Sequence, residues 1–565
     1  MGFSFLIVQF FETTPASQGL KMLYGKTLGA NPIRHFTNLF THSFKAQWIF
    51  LLILAVGIFA RTWGFGTTPP GLNPDEASIG VEAYYLYKFG MDRNGVSYPV
   101  HLISWGSGQN VLYAYLIIPF VAAKGLTPET VRLPMMLSGI LSLPLIYYVG
   151  KRLFGEKYGL VSMFFLAISP WHIVNTRWAV ESNILPFIFL AGFSFFLASE
   201  KKSILFIPAS IFFALCLYAY GTAYVAIPVF LLLSIPLTIY LKKTGLKYII
   251  SGMLIFFLLS VPIVLFVLIN TYKLNDIHFG SVTIPRLPVE ARYESLAAVF
   301  EKEPLKDIAS NVTVMLNLLW TQEDAFAWNF VESFGYFYKV TFPLALVGLF
   351  FLFMPLGVGR EENLFDRWLL MAWMISSVMI GVIHPVNLTR INLIFIPILL
   401  FMVNGLVNLD KILKYATPIT LAALSAAFIF FNLAYHGENY QKRANEVFNA
   451  GIIPAIKYAS ENNGAASICI TEQTRFAYIY TLFVKKLHPT EYLNQIEWIL
   501  PPAHPLDPAR TPRVLGTFKF HLVDCIKDPS AIFILKLGEV PPASNINYKV
   551  KRFTKYEVYF PKNIP

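Results

Sequence analysis

"VLYAYLIIPFVAA", residues 111–123, is a run of hydrocarbon side chains thirteen residues long, and Pro119 breaks it near its end. About 20 consecutive apolar residues span the hydrocarbon core of a bilayer, whereas runs of roughly 10–14 usually do not. Whether this run crosses decides the fold, because a crossing here would turn every later segment of the chain over. Longer apolar runs lie on both sides of it, near 47–65, 130–149, 158–174, 183–199, 203–219, 222–241, 248–270, 338–356, 368–383, 391–408 and 415–434. They predict a mainly α, polytopic helical bundle of about 11 spans.

Composition agrees with a bilayer protein. The 565 residues are 55% hydrophobic and 14% charged, with a mean hydropathy of +0.54, well beyond what a soluble domain needs. A formal charge of +12 raises the question of nucleic acid, but the Lys and Arg residues stand in short clusters between apolar runs, as membrane-protein loops carry them. Nucleic acid is therefore not an expected partner. Three cysteines show no metal-ligand spacing, and at most one bridge, Cys469 to Cys525, can form.

Charge then settles the doubtful run. If 111–123 lies in the interface or re-enters, the loops 151–157, 200–202, 242–247, 359–367 and 410–414 share the cytoplasmic side with Lys21, Lys26, Arg34 and Lys45 of the amino-terminal segment 1–46, as the positive-inside bias asks. The other side receives loops 66–129, 175–182 and 271–337 and the tail 435–565. "MGFSFLIVQF" lacks a basic n-region, so the first span is expected to act as an uncleaved anchor. The tail alternates expected helices (451–464, 475–487) with expected strands (466–471, 531–537, 548–553, 556–560), which predicts a small extracytoplasmic α/β domain. The spans between, 47–434, form the expected catalytic domain.

Three clusters of polar residues gather on the outer side. "GLNPDEASIG" (71–80) sets Asp75 and Glu76 just past the first span, at the start of a segment whose Ile79, Tyr84 and Leu86 suit a helix lying on the membrane surface. An acid there is either a helix cap or a general base, which needs a carboxylate in reach of an acceptor proton. "SPWHIVNTRWAVESN" (169–183) brings His172, Arg177 and Glu181 together; Arg177 and Glu181, four apart, also fit a plain helical ion pair. Arg132 opens one span, and His384 and Arg390 bracket "HPVNLTR" between two others. Arginine so close to hydrocarbon is costly without an anionic partner, and a lipid phosphate would serve.

The order "PDEA" (74–77), "RLPMMLSGILSLPLIYYVGKRLFG" (132–155) and "SPWHIVNTRWAVESN" resembles the amino-terminal half of the GT-C membrane glycosyltransferases, in particular the protein O-mannosyltransferases and lipid A aminoarabinose transferases. "YFYKVTFPLALVGLF" (336–350) and "HPVNLTRINLIFIP" (384–397) follow in the matching order, so the resemblance covers roughly 45–410. It implies transfer of a sugar from a polyprenyl-phosphate carrier to a protein, lipid or glycan hydroxyl on the extracytoplasmic face, with inversion. It further implies that Asp75 is the base with Glu76 beside it, that Arg132 and Arg390 stand near the carrier phosphate, and that Glu181 fills a second-loop acidic position. No cofactor is expected: a divalent metal serves the pyrophosphate branch of the superfamily and is not favoured here. Many relatives carry Lys-Pro-Pro in the first loop where this chain has "ISWGSGQNVLYAY" (103–115), leaving Trp105, Ser107, Gln109 and Asn110 to hold a sugar. A flippase of lipid-linked sugars or a non-catalytic polyprenyl-lipid binding protein are the alternatives; the first should show mid-span charges and repeat symmetry, which are absent from the sequence.

Overall fold

The computed structural model describes residues 32–291, 303–324, 326, 328–353, 364–464, 466–499, 512–542 and 547–562, with side chains from residue 45 onward. The chain divides into two units, Met1–Ala55 and Val56–Pro565. The first contributes the beginning of α1 (Pro32–Thr62), whose apolar stretch from Lys45 is long enough to span.

The second unit holds the rest. A first long loop carries α2 (Pro74–Phe89), the short strands β1 (His101–Leu102) and β2 (Gln109–Asn110), and α3 (Leu112–Lys124). The bundle continues with α4 (Pro128–Phe154), α5 (Glu156–Ile168), α6 (Pro170–Asn175), α7 (Glu181–Ser199), α8 (Phe206–Ala219), α9 (Ala223–Tyr240) and α10 (Leu246–Thr271). After the hairpin β3 (Ile277–Phe279) and β4 (Val282–Ile284) come α11 (Pro304–Thr321), α12 (Phe342–Phe353), α13 (Leu364–Ile383), α14 (Phe395–Ile412) and α15 (Ala416–Tyr435).

Among the described residues eight helices are long and apolar enough to cross a bilayer, and the protein is a multi-pass membrane protein. Two of the expected spans come out shorter: the run 158–174 breaks at Ser169, where Pro170 starts a new helix, and 203–219 yields the 14-residue α8. The expected span 338–356 contains α12, and its residues 354–356 lie outside the described residues. The deciding run 111–123 forms α3, 13 residues with Pro119 inside. Arg177, between α6 and α7, donates to Ala60 O near the end of α1, and Arg132, in the first turns of α4, donates to Pro69 O, just past the end of α1. The first long loop therefore leaves and returns at one end of the bundle.

The basic loops meet at another place. Arg152 pairs with Glu200 and with Asp366 at 2.8 Å, Lys243 with Glu200 at 2.9 Å, and Lys157 with Asp410 at 2.5 Å, so all five loops sorted together by charge converge. Between the ends, rings of α7, α8, α9 and α13 interlock: Phe189 and Phe193 pack on the buried Trp373, and Phe213 and Phe230 pack on Phe189. In α12 and α14 backbones touch. A Cβ on Gly348 would stand 1.7 Å from Phe401 O and one on Gly405 2.3 Å from Leu344 O, so only glycine permits the approach, and Asn404 Nδ2 donates to Gly348 O at 2.7 Å across it.

The tail folds as α16 (Glu438–Val447), α17 (Ile452–Glu461), β5 (Ile468–Ile470), α18 (Ala477–Lys485), α19 (Pro489–Gln495), β6 (Ile496–Trp498), β7 (Pro512–Leu515), β8 (Phe518–Lys519), β9 (Ile532–Lys536), β10 (Tyr548–Phe553) and β11 (Tyr556–Pro561). One seven-stranded sheet has the order β10-β11-β9-β5-β8-β7-β6, with β5 parallel to both neighbours and the outer pairs antiparallel. Cys469 of β5 is bonded to Cys525 in the turn after β8, and both are buried. The fold is thus mainly α with a carboxyl-terminal α/β domain, as expected.

Candidate active site

The site is built on the loop 67–74 and the helix it starts. Asn73 takes the extended backbone of a helix N-cap and accepts from Asp75 N at 3.0 Å, Pro74 opens the helix, and Glu76 closes a capping box by accepting from Asn73 N at 3.0 Å. The capping role weighed for Asp75 thus falls to Asn73 and Glu76. Nor does α2 lie on a surface: Glu76, Ile79, Glu82 and Leu86 are all buried, so it is enclosed by the loop and the carboxyl-terminal domain.

Adjacent acids have opposite surroundings. Glu76 is wholly buried and saturated: Arg132 Nε and Nη2 reach its two oxygens at 2.7 Å each, and Ala179 N adds a third donor at 2.7 Å. Arg132 completes itself on Pro69 O (2.6 Å) and Gly71 O (2.8 Å). Arg177, also buried, donates through Nε and Nη2 to Thr68 O at 3.1 and 3.0 Å; burial lowers its pKa. Arg132, expected near the carrier phosphate, and Arg177, an expected substrate-binding residue, therefore clamp the carbonyls of the loop that delivers Asp75.

Asp75 is half-buried and its Oδ1 accepts from Trp105 Nε1 at 3.0 Å. The Trp105 ring lies against the guanidinium of Arg93, 4.8 Å away, and Phe476, with ring centroids 4.3 Å apart. Beneath it, Arg93 pairs with Glu82 at 3.2 Å and donates to Ser78 Oγ at 2.6 Å. Burial pushes Glu82 up to about 7 against the pull of Arg93. Nothing in "MDRNG" marks this cluster beyond the turn that Asp92 makes by accepting from Asn94 and Val96 backbone.

Two residues beyond Trp105 the chain enters a small open cavity that gathers Ser107, Gln109, Asn110, Glu181, His384 and Arg390, together with His101. Six expected binding residues from three separate segments thus line one cavity. Asp75 and Trp105 are not among its lining; Trp105 stands at the other end of this short loop and reaches Asp75 through its indole N–H. Gln109 Nε2 donates to Glu181 Oε2 at 2.6 Å, Asn110 Nδ2 to Tyr224 OH at 3.3 Å, and Arg390 Nη1 to Pro385 O at 2.9 Å while staying partly exposed. Burial holds His101 down at about 4, and its ring stacks on Phe266. Among the described residues no group of three or more His, Cys, Asp or Glu side chains is close enough to hold a metal ion.

Residues 83–266 match the family described as dolichyl-phosphate-mannose-protein mannosyltransferase, a stretch that contains Trp105, Gln109 and Glu181 but begins after Asp75. No curated protein sequence matches the chain significantly. Among solved structures, ArnT from Cupriavidus metallidurans bound to undecaprenyl phosphate is similar over 91% of this chain and 98% of its own, at 12% identity and a TM-score of 0.51. The Archaeoglobus fulgidus oligosaccharyltransferase in its apo form is similar over 79% of this chain, at 12% identity and a TM-score of 0.46; this chain spans 64% of its length. The archaeal oligosaccharyltransferase AglB from Archaeoglobus fulgidus, in complex with an inhibitory peptide and a dolichol-phosphate, covers 93% of this chain and 75% of its own at 12% identity and a TM-score of 0.48. The fold is that of the GT-C membrane glycosyltransferases, as the resemblance implied.

Proposed function

We propose that this membrane protein of GT-C fold transfers a sugar from a polyprenyl-phosphate carrier to a hydroxyl of a protein, lipid or glycan on the extracytoplasmic face. One observation carries the reading: of the two adjacent carboxylates, Glu76 is locked in an ion pair while Asp75 is half-open and oriented by an indole N–H, the arrangement a general base needs. Asp75 takes the proton of the acceptor hydroxyl while that oxygen attacks the anomeric carbon from the face opposite the phosphate. The bond from that carbon to the phosphate oxygen breaks, polyprenyl phosphate leaves, and the configuration inverts.

Arg390 is the cation for the departing phosphate, since it lines the cavity and retains exposure. Gln109, Asn110 and Glu181 hold sugar hydroxyls there. An apolar cleft between α11, α12, α13 and α14, lined by Trp320, Phe342, Leu346, Met374 and Phe401, suits a polyprenyl tail, and α13 and α14 flank the segment carrying His384 and Arg390. The undecaprenyl phosphate held by the Cupriavidus neighbour is the carrier chemistry to test first. The Cys469–Cys525 bond favours an oxidising compartment for the tail, and with it the outward face of the cell membrane.

The test is reconstitution in vesicles with undecaprenyl-phosphate-mannose and an envelope extract as acceptor source. Release of undecaprenyl phosphate with mannose appearing on an extract component of inverted anomeric configuration is expected. Movement of intact donor across the bilayer without cleavage would make the protein a flippase instead.

A further inference from the structure

The Trp105 indole owes its place to groups far apart in sequence. Arg93 supports one side, itself buried and paired with Glu82, and Phe476, from the carboxyl-terminal domain, packs on the ring at a 4.3 Å centroid separation. Tyr478, two residues on, meets the same indole edge-on at 6.4 Å. Phe476 stands at a left-handed φ of 59° as the N-cap of α18, so its ring direction follows from how that helix is seated.

The seat is firm. Tyr480 OH, in α18, donates to Leu72 O at 2.9 Å, three residues before Asp75, and accepts from Asn449 Nδ2 at 2.9 Å. Asn449 Oδ1 in turn accepts from Tyr556 OH of β11 at 3.0 Å, and all three side chains are buried. A Cβ on Gly71 would lie 2.2 Å from Phe448 O, so the same loop is pressed directly on the tail's backbone.

We infer that Phe476 is a positioning residue: it holds the Trp105 indole so that Nε1–H fixes the Asp75 carboxylate, which makes the carboxyl-terminal domain a wall of the active site. The inference rests on the function proposed above for its catalytic consequence, but its geometry is testable alone. A hydrogen bond fixes a carboxylate only while its donor is itself fixed, and displacement on the scale of about 1 Å costs up to roughly a hundredfold in rate. A ring released on one side is free to rotate.

The experiment uses the full chain in nanodiscs with 15N-labelled tryptophan, the Trp105 indole signal being the one missing from Trp105→Phe. Asp75→Asn should move this indole proton upfield, and Phe476→Ala should move it the same way while Phe476→Tyr leaves it in place. In the undecaprenyl-phosphate-mannose assay Phe476→Ala should lower kcat by about tenfold with the donor KM within about twofold, and Phe476→Tyr should restore kcat. If Phe476→Ala does not fold, Phe476→Leu, which keeps bulk without a flat face, carries the same expectation. An indole signal unmoved by Asp75→Asn or by the Phe476 variant overturns the inference whatever the turnover. A moved signal with normal kcat overturns the positioning role. Signals moved by both variants, together with a wild-type protein that never cleaves the donor, sustain the geometry and reject the transferase reading instead.

Discussion

The clamp around residues 68–76 and the mouth around residues 105–110, 181 and 390 use the same residue types in opposite ways. In the clamp, Arg132 and Glu76 are wholly buried and bidentate, Arg177 is buried among carbonyls, and three backbone oxygens are held by guanidinium groups. Outside the clamp's contacts, Asp75 and Arg390 keep partial exposure, and Arg390 lines the open cavity. An ion pair taken out of water contributes less than its Coulomb energy suggests, because desolvation offsets much of it; what it fixes is geometry. The difference teaches that a charged group near a membrane surface is read by its burial. Under the proposed function the wholly buried groups build, and the partly exposed ones meet substrate.

The comparison breaks most visibly at Arg132. Arg132→Ala leaves Glu76 charged and buried without its partner, a loss on the order of 3–5 kcal/mol. It should appear as a collapse in the thermal midpoint of the detergent-purified protein. Arg132→Lys should not recover it, since an ammonium cannot serve two carboxylate oxygens and two carbonyls in one plane. A stable Arg132→Ala protein with weakened donor binding would move this arginine to the mouth.

Arg390 sharpens the comparison from the other side. Arg390→Ala should weaken binding of undecaprenyl-phosphate-mannose by about 1–3 kcal/mol, the range of a lost charge-assisted contact, while the melting midpoint stays near wild type. Lysine at this position should recover part of the affinity, because an exposed phosphate accepts a point charge. Equal donor affinity in a titration by fluorescence or calorimetry would remove Arg390 from the site.

The smallest effect concerns pH. His101, on the cavity wall, is held at about 4 by burial, below the ordinary histidine value near 6.5. The unfolded chain then binds a proton that the native state refuses, so stability is present above about 6.5 and is lost as pH falls toward 4. His101→Phe keeps the stack on Phe266 and cannot titrate. Its melting midpoint should fall less between pH 7 and 5 than that of the wild type; parallel curves would show that another group carries the acid sensitivity.

Local signals made much of this readable in sequence. Pro74 and the acids after it marked a helix start, the basic clusters sorted the loops that Arg152, Glu200, Lys243 and Asp366 now join, and the alternation after residue 450 marked the α/β tail. What failed depended on register between distant segments. Arg132 finds Glu76 across 56 positions, which no spacing rule contains. Arg177 and Glu181, four apart, do not share a helix because α7 begins at Glu181, so Arg177 points into the loop. The strands β6, β7 and β8 are too short and too polar to stand out. Phe476 carries no sequence signal at all, since an aromatic in an apolar helix start reads as core.

The central claim is that Asp75 acts while Glu76 builds, and the direct measurement is turnover and melting midpoint of Asp75→Asn and Glu76→Gln side by side at saturating undecaprenyl-phosphate-mannose. Asparagine keeps the side-chain size but removes the basic carboxylate, so Asp75→Asn should melt as the wild type does and turn over at least about a hundredfold more slowly. Glu76→Gln should lower the melting midpoint, with any loss of rate following the loss of folded protein. Near-normal turnover in a well-folded Asp75→Asn protein would contradict the account.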